Sequence, residues 1–144
     1  MLRNIARQGS IVAALLLLTA GAAFAAAGGR SSSSSSISLA LLTAPTTSGT
    51  TGPSYGQAVS FNVSTTATNQ PFVHLKCSQN GTLVYEGWQS WPAGSNGVET
   101  FTLGGTKAWQ GGAATCTAYL ENWDSYSKNG KITVLASTNF NVSA

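Results

Sequence analysis

Residues 71–88 read PFVHLKCSQNGTLVYEGW, and this stretch decides the fold of the chain. Ahead of its turn, apolar and polar residues alternate with the period of a half-buried β-strand. The apolar members are Val73, Leu75 and Cys77. Asn80 and Gly81 accept the positive φ angles that a type I′ turn requires at both central positions. We therefore predict a β-hairpin in which residues 82–88 form the returning strand.

The two-residue turn also predicts a register for the hairpin. Counting from the turn pairs Gln79 with Thr82, Cys77 with Val84, and Lys76 with Tyr85. The predicted inner face consists of Val73, Leu75, Cys77, Val84 and Trp88, and the predicted outer face of His74, Lys76, Leu83 and Tyr85. Glu86 then falls on the inner face, where a carboxylate is costly to bury. Either the returning strand lies at a sheet edge, or a bulge near Gly87 turns Glu86 outward.

Similar alternation and frequent turn residues continue through the rest of the chain. Further strands are predicted at residues 37–43, around Phe61 and Val63, and at residues 99–103, 114–121 and 132–142. Their predicted inner faces hold Phe101, Leu103, Ala114, Cys116, Ala118, Leu120, Ile132, Val134, Ala136, Phe140 and Val142, with Thr115, Thr117, Tyr119 and Glu121 outside. Residues 123–130 are predicted to form a polar turn. Six or seven strands in about 100 residues, without a helical period, predict an all-β fold, a single antiparallel β-sandwich.

Two cysteines, Cys77 and Cys116, are present. In an oxidising compartment an even pair predicts a disulfide. The alternative is a reactive or metal-binding pair of thiols, but zinc needs about four ligands. His74 is the one histidine that could join them, so we favour the disulfide.

The strand number, the hairpin and Cys116-Thr117-Ala118 in a late strand make residues 37–144 resemble the immunoglobulin-like and fibronectin-type domains of secreted bacterial proteins. In antibody domains the first cysteine lies on strand B, whereas a two-residue hairpin joins neighbours within one sheet. The resemblance therefore implies that Cys77 lies on a C-like strand and Cys116 on the adjacent F-like strand. Ala114 stands where an antibody domain has a tyrosine, which argues against antibody ancestry.

The first 27 residues have the three-part order of a secretory signal peptide. Arg3 and Arg7 precede an apolar block, and Ala23-Phe24-Ala25 fits the cleavage pattern. The alternative is an uncut membrane anchor, because residues 11–27 carry no charge. We predict a signal-peptide helix (1–27), a disordered Ser-rich spacer (28–36) and an immunoglobulin-like domain (37–144), located outside the cytoplasm.

Charge excludes one class of partner. From Ser31 onward four lysines balance four acids, so the net charge of +3 comes from the arginines of the leader region. A nucleic-acid-binding protein needs a cationic stripe, and this part of the chain has none. We expect no contact with nucleic acid, and contact with a membrane only through an uncleaved leader.

The sequence contains no recognisable catalytic motif. His74 is the single histidine and is predicted to stand alone on an outer strand face. Glu121 and Asp124 lie where a strand is predicted to give way to a turn, and we interpret them as solubilising residues. We expect no catalytic, cofactor-binding or metal-binding residues, and a protein that is not an enzyme.

The aromatic residues are the remaining clue to function. Trp88 is predicted to fill the core, whereas the candidate ligand contacts are Trp91, Trp109 and Trp123 on loops and Tyr85 and Tyr119 on the outer sheet face. Exposed aromatic side chains are effective anchors because they bury a large area with few rotamers. We expect a secreted or cell-surface domain for binding, adhesion or display, with an extracellular protein or surface glycan as partner. The alternatives are a carbohydrate-binding module, which requires two of the three loop tryptophans to be exposed, and a secreted enzyme inhibitor.

Overall fold

A computed structural model of the chain describes residues 33–43, 51–92, 99–124 and 130–144. The predicted signal peptide and most of the predicted spacer lie outside these residues. Within them the chain forms seven strands: β1 (Ser35–Leu41), β2 (Ala58–Thr65), β3 (Phe72–Gln79), β4 (Thr82–Ser90), β5 (Phe101–Thr102), β6 (Ala114–Asp124) and β7 (Lys131–Val142). None of the described segments is a helix, and so none is a helix that could cross a membrane.

The strands form two antiparallel sheets, which confirms the all-β prediction. The first sheet has the order β1-β2-β5, and the second has the order β4-β3-β6-β7. Each strand overlaps a predicted one, although β5 is only two residues long. The prediction that a polar turn begins at Trp123 is wrong, because β6 continues to Asp124. Residues of both sheets meet in one apolar core, to which Phe61 of the first sheet and Leu75 of the second contribute fully buried side chains.

The predicted hairpin joins β3 to β4. Asn80 has a φ of 50° and Gly81 a φ of 80°, as a type I′ turn requires. Gln79 pairs with Thr82 as predicted. Of the two alternatives predicted for Glu86, the edge strand is observed, because β4 forms one edge of the four-stranded sheet.

A bulge at Val84 makes the rest of the predicted hairpin register wrong. Cys77 pairs with Tyr85 instead of Val84, and Lys76 pairs with Glu86 instead of Tyr85. One extra residue in a strand moves every later side chain to the opposite face. Trp88, predicted in the core, is therefore on the outer face with 52% of its surface exposed. Tyr85, predicted outside, packs against the core.

A second bulge, at Leu135, has the same effect on β7. Leu120 pairs with Ala136 and Glu121 with Val134, so Leu135 has no partner across the β6–β7 pair. The prediction that Ile132 and Val134 line the inner face is wrong, since both are more than half exposed. Beyond the bulge, the predicted inner-face residues Ala136, Phe140 and Val142 do belong to or pack against the core.

Two tryptophans that were predicted to reach solvent are buried. Trp91 is 1% exposed and Trp109 is 0% exposed. The ring of Trp91 stacks on Phe101 with centroids 6.2 Å apart, and Trp109 meets Tyr55 edge-on at 5.6 Å. Both predictions failed because each indole packs against other aromatic rings of the core, to which a buried indole contributes a large apolar area.

The predicted disulfide between Cys77 and Cys116 is confirmed. The two cysteines are direct partners across the β3–β6 pair, with Cα atoms 4.0 Å apart. The bond thus links neighbouring strands within one sheet, beneath the surface described next.

Candidate functional site

The outer face of the four-stranded sheet brings together a histidine, a lysine, two glutamates and several aromatic side chains. This face, turned away from β1-β2-β5, carries Phe72, His74, Lys76, Glu86, Trp88, Tyr119, Glu121, Trp123, Ile132 and Val134. β3 and β6 supply its centre through ordinary alternation. The contributions of β4 and β7 depend on the two bulges, because without them Glu86, Trp88, Ile132 and Val134 would face inward.

His74 lies at the centre of a hydrogen-bonded polar network on this face. It is only 5% exposed, contrary to its prediction as an isolated surface histidine. Its Nδ1 lies 3.1 Å from Oε1 of Glu121, and its Nε2 lies 3.0 Å from Oε1 of Glu86. A neutral imidazole donates one hydrogen bond, whereas an imidazolium donates two. Two ionised carboxylates are therefore both satisfied only by the doubly protonated ring.

Lys76 extends the network on the side of Glu86. Its Nζ lies 3.3 Å from Oε1 of Glu86. The hydrogen bond from His74 lowers the pKa of Glu86 below its ordinary value, and Lys76 acts in the same direction, against a smaller opposing effect of desolvation. Glu86 therefore stays ionised further into the acid range than a free glutamate.

Glu121 occupies the centre of the sheet rather than a turn, contrary to its predicted role as a solubilising residue. It lies within β6, pairs with Phe72 of β3, and is 7% exposed. Among the described residues, His74 supplies its side-chain hydrogen bond. A buried carboxylate is tolerated only with such a partner, so His74 is the residue that allows Glu121 to lie here.

Two aromatic rings cover His74. The indole of Trp88 stacks on the imidazole with ring centroids 3.8 Å apart and planes at 22°. Tyr119, the partner of His74 on β6, has its ring 6.0 Å from that of His74. These rings help to shield His74 from water, which strengthens its interaction with the buried Glu121.

Next to the network, the outer face forms a pocket of about 240 Å³, lined by Phe72, Trp88, Glu121, Trp123 and Ile132. Trp88 and Trp123 remain 52% and 57% exposed. Phe72 and Trp123 meet edge-on, with ring centroids 6.2 Å apart and planes at 65°. Glu121 is the single charged member of the lining. The pocket is therefore an aromatic cleft with an apolar lining, and the carboxylate of Glu121 is bonded to His74 beside it.

Glycine at position 130 permits the observed position of Trp123. A Cβ on Gly130 would lie 2.9 Å from Nε1 of Trp123, and the φ of Gly130 is +57°. Any other residue would both strain the backbone and press on the indole. The start of β7 thus helps to set one wall of the pocket.

The structure brings together only part of the predicted site. Trp123 and Tyr119 lie on the outer face, and of these Trp123 lines the pocket. Tyr85 packs toward Trp109 in the interior, where burial raises its pKa. Trp91 and Trp109 are buried in the core and offer no surface to a ligand.

The sequence reasoning missed four residues of the pocket, namely Phe72, Trp88, Glu121 and Ile132. One signal for the missed Trp88 was available: the predicted register put Glu86 inside the core. Placing the bulge at Val84 instead of near Gly87 moves Glu86 and Trp88 to the outer face together. β7 offered no comparable signal. The regular register and the bulged register both place apolar residues of β7 in the core.

Both ring nitrogens of His74 are engaged by carboxylates, so neither is left to activate a hydroxyl or a thiol. Within the part of the chain that the structure describes, no three His, Cys, Asp or Glu side chains are grouped to hold a metal ion. The outer face thus combines a hydrogen-bonded polar network with a partly exposed apolar pocket.

Comparison with known proteins does not identify a relative. No family model matches the chain, and neither a curated protein nor a solved structure is significantly similar to it. The functional argument therefore rests on the geometry of the outer face and its pocket.

Proposed function

We propose that this protein is a non-enzymatic binding domain with immunoglobulin-like topology, exported from the cytoplasm, that holds a small ligand between Trp88 and Trp123. The single observation that carries the proposal is the pocket itself. Two indoles, each more than half exposed, wall a cleft over a buried carboxylate. Aromatic side chains left in water at the rim of a concave site are typical anchors for a ligand.

The strand order supports the immunoglobulin-like assignment. The sheet β1-β2-β5 corresponds to strands A, B and E, and β4-β3-β6-β7 corresponds to C′, C, F and G. The disulfide departs from the antibody pattern, since it joins the C-like and F-like strands within one sheet. This departure is the one that the resemblance implied for Cys77 and Cys116.

Export is supported by two independent features. The disulfide between Cys77 and Cys116 is of a kind that persists in oxidising compartments. The leader has the basic, apolar and small-residue order of a signal peptide. An exported domain of this kind acts in the envelope or outside the cell.

The site is also rigid, which favours binding over display alone. Beside it His74 bridges two strands by bonding to Glu86 of β4 and Glu121 of β6. A pre-organised site loses less conformational entropy when a ligand binds. A domain that served only as a spacer would gain nothing from exposing Trp88 and Trp123.

A carbohydrate-binding module is the second candidate, favoured by the exposed indole faces. Its original requirement is not met, because Trp91 and Trp109 are buried and only Trp123 of the three loop candidates is exposed. Trp88 takes the place of the missing second tryptophan. Sugar rings would have to stack on these two indoles.

The test follows the indole N–H signals of the four tryptophans by NMR. The ¹⁵N-labelled full chain is titrated with choline, cellohexaose, chitohexaose and hexanoate. We expect at least one probe to shift the signals of Trp88 and Trp123, while those of the buried Trp91 and Trp109 stay in place as internal references. Trp88→Ala and Trp123→Ala should each weaken that binding, whereas Leu83→Ala, which removes an exposed side chain of β4 outside the pocket, should not.

No shift with any probe would overturn the proposal. So would binding that survives both tryptophan substitutions, because the ligand would then lie elsewhere on the protein.

A further inference from the structure

We propose that the pocket selects an organic cation, specifically a quaternary ammonium head group, rather than a neutral sugar. This inference rests on the proposed function of the same pocket. Three of its five lining residues are aromatic: Phe72, Trp88 and Trp123. The negatively polarised face of an aromatic ring attracts a cation placed within about 6 Å of its centre, and tryptophan does so best.

The angle between the rings favours a compact head group. Phe72 and Trp123 stand at 65° to each other, so together they form a corner instead of a flat platform. A sugar ring needs a flat aromatic surface, whereas a tetrahedral ammonium group presents methyl groups in several directions and can contact both rings.

The volume of the pocket also favours a compact head group. At about 240 Å³ it is smaller than the roughly 300–1,000 Å³ typical of sites that enclose a drug-sized molecule. It holds a head group, with the rest of the ligand outside, rather than an extended oligosaccharide.

The hydrogen-bonding groups of the lining do not suit a sugar. Phe72 and Ile132 form no hydrogen bonds, the indoles of Trp88 and Trp123 only donate, and an ionised Glu121 only accepts. Buried ligand hydroxyls without partners cost free energy. A quaternary ammonium group has no hydrogen to donate and no lone pair, so it demands no partner.

Charge completes the argument. Glu121 is 7% exposed and lies 3.1 Å from Nδ1 of His74, so its carboxylate offsets the positive charge that a doubly protonated His74 carries beside the pocket. On the other side of His74, the positive charge of Lys76 is paired with Glu86 at 3.3 Å. Lys76 is not among the residues that line the pocket, and none of the described lining residues carries a positive charge.

The decisive comparison is between choline and 3,3-dimethylbutan-1-ol, which has the same shape without the charge. Both are titrated into the full chain by calorimetry, with the indole signals of Trp88 and Trp123 as a second readout. We expect choline to bind about ten-fold more tightly or better, from its cation–π contacts with the aromatic lining. Vesicles of phosphatidylcholine, compared with phosphatidylglycerol, tell whether the head group is also accepted on a lipid.

The charge of Glu121 is tested by Glu121→Gln, which keeps the size of the side chain. This change should weaken choline binding about five-fold or more and leave the neutral alcohol unaffected. Glu99→Gln, the same substitution outside the pocket, is the matched control and should change neither. The comparison of the two ligands on the unmodified protein stands even where the variant fails to fold.

The outcomes separate this inference from the proposed function. Equal affinity for choline and the alcohol, or binding of cellohexaose or chitohexaose without choline, overturns the cation assignment while the pocket remains a binding site. Absence of any ligand effect on Trp88 and Trp123 overturns both.

Discussion

The indole of Trp88 lies against the imidazole of His74, with ring centroids 3.8 Å apart, across a β3–β4 pair in which the two residues are direct partners. The contact exists because the bulge at Val84 turns Trp88 outward. It connects two features of the outer face: below it His74 bonds to Glu86 and Glu121, and beside it Trp88 walls the pocket. Substitutions in the network therefore affect both stability and the pocket.

The first prediction concerns the buried pair of His74 and Glu121. His74→Leu leaves the carboxylate of Glu121 buried without its partner, so we expect a loss of about 3 kcal/mol in the free energy of unfolding. In His74→Leu/Glu121→Leu both polar groups are gone, and most of the loss should be recovered. Urea denaturation measures both variants. A double variant no more stable than the single one would attribute the loss to packing under Trp88 instead.

The second prediction concerns pH. The hydrogen bond from His74, aided by Lys76, holds the pKa of Glu86 below its ordinary value of 4.5. The unfolded chain therefore binds a proton on Glu86 at higher pH than the folded protein does. The resulting stabilisation is complete above the unfolded-state pKa and is lost as pH falls through the folded-state pKa.

Glu86→Gln removes this titration. We expect the stability difference between the unmodified protein and the variant to be steady just above about pH 5 and to shrink toward pH 3, as followed by urea denaturation at each pH. Lys76→Met should retain part of the effect, because His74 still bonds to Glu86. A difference that does not change with pH would contradict the assignment.

The strands and the disulfide were predictable because local sequence determines them. Alternation in β3 and the Asn80-Gly81 turn act within a few residues, and these features of the hairpin agree with the structure. The disulfide between Cys77 and Cys116 requires only that their two strands pair with each other. Such features do not depend on the details of distant packing.

Two of the missed pocket residues, Trp88 and Ile132, were not predictable because each is placed by one inserted residue in its strand. Val84 and Leu135 are ordinary strand residues, and nothing in their chemistry marks them as bulges. Each nevertheless exchanges the two faces for the remainder of its strand. The bulges arise where tertiary packing outweighs regular pairing, as when Tyr85 turns inward toward Trp109.

The third prediction compares the two buried tryptophans. Nε1 of Trp109 donates to the backbone oxygen of Gly112 at 3.1 Å, whereas Nε1 of Trp91 is buried without a hydrogen-bond partner among the described residues. Substitution of either tryptophan by phenylalanine removes the indole N–H and a similar side-chain volume. We expect Trp109→Phe to cost about 1 kcal/mol more than Trp91→Phe, because only the former loses a hydrogen bond. Thermal or urea unfolding of the pair provides the measurement, and equal losses would refute it.

The fourth prediction concerns the disulfide, whose cysteines are separated by 39 residues. Cross-linking a loop of this length stabilises the folded state by about 4 kcal/mol in the chain-entropy estimate. Cys77→Ala/Cys116→Ala should therefore lower the free energy of unfolding by about 3–4 kcal/mol. Reduction of the unmodified protein should produce a comparable loss, and no change on reduction would show that the bond contributes little.

The fifth prediction concerns Gly104, which lies under the ring of Tyr55. Its φ is +88°, and a Cβ at this position would overlap the ring of Tyr55. The ring cannot move away freely, since it packs edge-on against Trp109 and its hydroxyl donates to the backbone oxygen of Trp109 at 3.2 Å. Gly104→Ala therefore combines backbone strain with overpacking, and we expect it to cost about 3 kcal/mol.

Gly105 supplies the matched control for this prediction. Its φ is also positive, at +74°, but a Cβ there meets no atom within 4 Å. Gly105→Ala carries only the backbone cost of about 1 kcal/mol, and both variants are compared by urea denaturation. Equal losses would mean that the contact between position 104 and Tyr55 relaxes at no cost. A larger loss for Gly104→Ala, together with a changed tyrosine environment in near-ultraviolet circular dichroism, would establish that Tyr55 closes this end of the core.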